Sequence, residues 1–122
     1  MGRKGFQDLI VWQRAKDLAV KIYKLSETGV LSRDFGLRDQ IRKSAISIAS
    51  NLAEGDERET DKESIRFFYI AKGSLAELRT QVQIAHEIGY LKRELYKILE
   101  NECIELGRMI GRLIQVRKGS LL

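Results

Sequence analysis

The sequence has no proline, one cysteine and one histidine among its 122 residues. Each scarcity narrows the field. A small sandwich or barrel needs several tight turns and commonly sets them with proline, so a chain without any points to long helices. A lone cysteine, Cys103, closes no intramolecular disulfide, which fits a reducing compartment. One cysteine and one histidine are too few for a zinc site built from several such ligands. No apolar run is long enough to cross a bilayer, and none near the start forms the apolar centre of a secretory signal. Phe6 stands where a myristoylation motif requires Ser or Thr. The expected location is the cytoplasm, with no cofactor.

What is present supports one folded domain over residues 1–122. Apolar residues make up 43%, enough for a core at this length without help from a metal or a crosslink. The net charge of +5 is unevenly spread. Residues 1–24 balance at +4, 25–60 at −2, 61–91 at zero and 92–122 at +3. Basic ends around a neutral middle create a positive field wherever the ends lie together, and such a field attracts phosphate backbones. Solubility alone also accounts for an excess of this size.

Hydrophobic periodicity predicts four helices, at about 8–26, 37–54, 61–88 and 93–117. The seams are Val11, Ala15, Leu18, Ile22 and Leu25; Leu37, Ile41, Ala45, Ile48 and Leu52; Phe68, Ala71, Leu75, Leu78, Val82 and Ala85; and Leu95, Leu99, Cys103, Leu106, Ile110 and Leu113. Gly29, Gly55 and Gly89 read as stops, and Thr60-x-x-Glu63 as a capping box in which each side chain satisfies a backbone donor. Between the first two helices, Ser32 or Asp34 starts one extra helical turn. Short connections make consecutive helices antiparallel, and the expected fold is an all-α, up-and-down four-helix bundle.

Catalytic signatures are weak. His86 is the sole histidine, and Gln83 stands where a di-iron Glu-x-x-His motif needs its glutamate. His86 reads as a surface or boundary residue and Cys103 as a seam residue. Gly73-Ser74 lies within a helical pattern and lacks the ending of a phosphate loop, so its expected role is a close helix contact, as for Gly107 and Gly111. Ser44, Ser47, Asn51 and Glu54 form a polar row along the second helix, either a hydrated face or a set of bonds to another helix or subunit. Arg14 and Lys21, Arg38, Arg42 and Lys43, and Arg108 and Arg112 are the candidate nucleic-acid contacts, since arginine forks match phosphate oxygens. A solvated face is the competing reading.

The string from Gln40 through Ile41-Arg42-Lys43-Ser44-Ala45-Ile46-Ser47-Ile48-Ala49-Ser50-Asn51-Leu52-Ala53-Glu54 to Gly55 resembles the bacterial four-helix bundle protein family. Leu9-Ile10-Val11-Trp12-Gln13 and Ala71-x-Gly73-Ser74-Leu75-x-Glu77-Leu78 extend the likeness over about residues 6–115. That family includes proteins encoded in intervening sequences of 23S ribosomal RNA genes. It is similar to the accessory variability determinant of diversity-generating retroelements. The resemblance implies a homopentameric assembly with a basic surface or pore, no enzymatic activity, and nucleic acid as partner, RNA more than DNA. It also implies possible docking of a protein. Gln40, Ser47, Asn51, Glu54, Gly55, Gly73, Ser74 and Glu77 match its motif. Two positions depart from it: Ala49 stands where many members have proline, and Arg38 where many have a Ser or Thr cap, which leaves the start of the second helix open. The leading expectation is a non-enzymatic oligomeric nucleic-acid binder; the alternative is a protein–protein scaffold with incidental charge. A core site for a metal or small ligand has little behind it.

Overall fold

A computed structural model describes residues 5–119. A 3-10 turn at Phe6–Asp8 leads into five helices: α1 (Ile10–Leu25), α2 (Gly29–Arg33), α3 (Phe35–Asp56), α4 (Asp61–Glu87) and α5 (Arg93–Gly119). There is no strand among the described residues. Four helices are long and one is short, where four were expected.

The seams fold inward as their spacing requires. Val11, Ala15, Leu18 and Ile22 of α1 are buried, with Ile41, Ala45, Ile48 and Leu52 of α3 and all six seam residues of α4. On α5 the last buried residue is Ile114, not Leu113, which is half-buried. The seam steps by four after Ile110, as a straight helix of 3.6 residues per turn requires over this length. Leu25, Leu37 and Leu95 are also half-buried, at the margins. The long helices close a ring: α1 packs on α3, α3 on α4, α4 on α5, and α5 returns to α1.

The helix ends show where local chemistry works and where packing overrides it. Asp34 caps α3, its Oδ1 accepting the Leu37 N–H at 3.1 Å. Arg38 therefore lies inside the first turn, and the helix begins before Leu37. Asp34 also accepts a 2.9 Å hydrogen bond from the Tyr90 hydroxyl, which raises the tyrosine's pKa. At Thr60 the side-chain oxygen accepts from the Glu63 N–H at 3.2 Å, as a cap should. The Glu63 carboxylate accepts a 3.2 Å hydrogen bond from the Thr60 hydroxyl instead of one from a backbone donor. Gly89 ends α4 in a left-handed conformation (φ 88°), and the Tyr90 N–H bonds back to the Ala85 carbonyl at 2.8 Å. Gly29, also left-handed, opens α2 and does not cap α1, which ends at Leu25 with Ser26 as its cap.

Gly55 is the clear correction. It does not stop α3; it is buried within it, and the helix continues to Asp56. A Cβ there would stand 2.7 and 2.9 Å from two ring carbons of Phe68. The glycine is required by the close approach of the Phe68 ring, and Ser64 on the same helix donates to the Gly55 carbonyl at 2.6 Å. Gly73 and Gly111 reverse the expectation the other way. Neither has an atom within 4 Å of an added Cβ, while Gly107 would meet Leu75 at an ordinary 3.4 Å. Close helix contact at Gly73 and Gly111 is not part of this fold.

Candidate nucleic-acid interface

The cations singled out in the sequence meet different fates. Arg42 is engaged inside the protein. Its Nε donates to Ser26 Oγ at 2.7 Å, a second nitrogen reaches the Tyr23 carbonyl at 3.3 Å, and the guanidinium covers the Tyr23 ring. It ties α3 to the end of α1, where the last carbonyls of a helix favour a positive partner. Arg38 bonds to Asp39 at 2.9 Å and to the Ser32 carbonyl at 3.2 Å. Lys21 pairs with Glu102 of α5. Arg14, Lys43 and Arg112 are exposed and have no ion-pair partner among the described residues, and Arg108 has only a 3.8 Å approach to Glu105.

The polar row of α3 faces α4. Ser47 and Ser74 share a 2.8 Å hydrogen bond, and Asn51 donates to the Ser47 carbonyl at 2.8 Å and its hydroxyl at 3.0 Å. Ser44 is buried beside them. The row thus touches α4 through Ser47, which also holds Asn51 within α3; Glu54 instead pairs with Arg58 one turn along. Gln40 and Glu77 are exposed. Within the motif's Gly73-Ser74 pair, the serine makes the contact and the glycine faces solvent.

A further group of cations lies between α4 and α5. From Ser64 to Ala76 on α4, and from Leu106 to Gly119 on α5, there is no carboxylate. These stretches lie antiparallel: Arg79 pairs with Glu100 at 2.7 Å, Gly107 approaches Leu75, and Lys118 donates to the Tyr69 hydroxyl at 2.8 Å. Lys72 and Arg108 line the two walls of a cleft of about 350 Å³ with Leu75, Ala76, Ile104 and Gly107. The Lys118 hydrogen bond, with the charges of Lys118 and Lys72, lowers the Tyr69 pKa. Arg117 is the exception on α5. It bonds to Asp56 at 2.8 Å and approaches Asp61 at 3.8 Å, where Asp56 is only 2% exposed. Lys72, Lys118 and Tyr69 were absent from the sequence candidates; the signal for them was the carboxylate-free stretch on each helix.

The opposite side of the molecule is apolar. A groove of about 620 Å³ runs between α1 and α3, lined by Phe6, Trp12, Ala19, Val20, Tyr23 and Ile46 among others. His86 donates from Nδ1 to the Leu91 carbonyl at 2.9 Å and stacks on Tyr96. Cys103 is buried, and desolvation pushes its thiol up to about 12. No group of three or more His, Cys, Asp or Glu residues that could hold a metal lies among the described residues, and no described helix is long and apolar enough to cross a membrane.

The model of the 23S rRNA-intervening sequence protein family matches residues 7–112. The chain belongs to that family. Among solved structures, this intervening-sequence family member is similar to a protein of unknown function of the S23 ribosomal protein family from Bacteroides thetaiotaomicron VPI-5482. The two share 23% identity and a TM-score of 0.81, over 87% of this chain and 96% of that one. That likeness concerns the fold. No curated protein matches. The match takes in α1, α3, α4 and most of α5, so the α4–α5 cleft and all of the apolar groove but Phe6 fall on family-matched sequence.

Proposed function

We propose that this protein is a non-enzymatic, homo-oligomeric four-helix bundle of the cytoplasm that binds nucleic acid, RNA in preference to DNA, through phosphate contacts. The observation that carries the reading is the run of exposed cations on facing stretches of α4 and α5 that themselves contain no carboxylate. Free cations release counterions from a phosphate backbone, whereas cations already paired within the protein contribute little. Membership of a family named for a ribosomal RNA insertion favours RNA. The apolar groove between α1 and α3 supports oligomerisation, for which the family resemblance implies five copies.

A filter-binding titration against RNA tests the reading. Retention at low salt that falls steeply as salt rises, with weak sequence preference, is the expected outcome. No retention at low salt would remove it. Native mass measurement tests the assembly: a species of one 14.0 kDa chain refutes it.

The groove also favours a second reading, a scaffold that holds another polypeptide, because Trp12, Val20, Tyr23 and Ile46 give it an apolar, aromatic lining. Isolation from cells with a stoichiometric protein and no nucleic acid, judged by absorbance ratio, would favour the scaffold.

A further inference from the structure

We propose that the α4–α5 cleft is a track for single-stranded nucleic acid, in which Lys72 and Arg108 hold phosphates from opposite walls and Tyr69 stacks on an unpaired base. This rests on the nucleic-acid reading above and gives it a place and a ligand form.

The walls and floor suit a backbone. Lys72 has no ion-pair partner among the described residues, and Arg108 is 70% exposed with its nearest carboxylate 3.8 Å away. The floor between them is neutral, made by Leu75, Ala76, Ile104 and Gly107. Gly107 adds no side chain of its own to that floor, and Leu75 packs against it at van der Waals distance. The cleft closes electrostatically at its other end, where Arg79 is already bound to Glu100 at 2.7 Å. The free charge therefore extends the opposite way, toward Tyr69 and Lys118.

Length argues against a small anion. Arg108 and Lys118 are ten residues apart on one helix, about 15 Å along its axis, farther than one phosphate can bridge. An extended polyanion meets both.

Tyr69 argues for unpaired bases. It is 46% exposed, a large aromatic surface in a cationic setting. Lys118 Nζ lies 2.8 Å from the hydroxyl but 5.2 Å from the ring centroid, so it sits beyond the tip of the ring and leaves the faces open. Arg66 and Lys72, one turn to either side on α4, are exposed on the same helix face. A duplex keeps its bases stacked inward and has no use for such a ring; a single strand can lay a base on it while its phosphates meet the cations.

The test is fluorescence anisotropy of the full-length protein with labelled oligouridine, and with an RNA duplex of the same length. The single strand is expected to bind more tightly than the duplex. Lys72→Ala with Arg108→Ala should weaken it and lower the salt slope by about 1.4, the loss of two single-strand phosphate contacts. Tyr69→Ala should weaken binding about tenfold, while Tyr69→Phe, which keeps the ring and loses the Lys118 bond, should stay near wild type. All three side chains are exposed, and unchanged thermal melting confirms that each variant folds. If the wild type binds while the double variant keeps its affinity and slope, the track is wrong and the wider reading stands. Duplex binding as tight as single-strand binding overturns the single-strand form. If the wild type binds neither RNA, both the track and the reading fall.

Discussion

Helix α3 and the cleft between α4 and α5 contain the same kinds of residue and use them oppositely. Around α3, Arg42 is engaged by Ser26 and Tyr23, and Gly55 is pressed against Phe68. Along α4 and α5, Lys72 and Arg108 face solvent across a neutral floor, and Gly73 and Gly111 have open space where a Cβ would be. An arginine or a glycine is therefore not a functional or structural residue by type. What lies opposite decides, and a cation already bonded to protein has little left for a phosphate.

Substitutions can break this contrast. Gly55→Ala should have the largest effect, destabilising the protein by about 2 kcal/mol, because its Cβ must displace a packed ring. Thermal or urea unfolding measures it, and an unchanged midpoint would mean that the Phe68 contact yields freely. Arg42→Ala should cost about 1.5 kcal/mol by the same measurement, through the lost charged hydrogen bond to buried Ser26. Arg42→Lys should recover less than half, since an ammonium lacks the fork that reaches both acceptors. Gly73→Ala should stabilise by about 0.8 kcal/mol, the helix-propensity gain at an open position. Destabilisation there would point to a neighbour, such as a second copy, that fills the space. Lys72→Ala and Arg108→Ala should shift stability least, within about 0.5 kcal/mol, and a larger loss from either would place that cation on the structural side of the contrast.

Much of the fold was legible because it is local. The buried faces of α1, α3 and α4 follow from a three-and-four spacing visible within each helix, and the Thr60 cap and the Gly89 stop from chemistry within a few residues. What was illegible depends on distant partners. Phe68 lies 13 positions after Gly55, and Ser26 lies 16 before Arg42, so neither the packed glycine nor the engaged arginine announces itself along the chain. The same holds for the polar row: Ser47 needs Ser74 to explain it. The candidate interface was half legible. Arg108 and Arg112 were visible as a pair on α5, but Lys72 and Tyr69 become part of the surface only when α4 is laid antiparallel beside them.

One guanidinium joins three helix termini. Arg117, late in α5, bonds to Asp56 at the close of α3 and approaches Asp61 at the opening of α4. Fraying at any of these points would break a charge contact whose Asp56 partner is nearly buried, which is costly. Amide exchange at the three ends should therefore proceed in step, as a single opening unit, and not as three independently loosening tips.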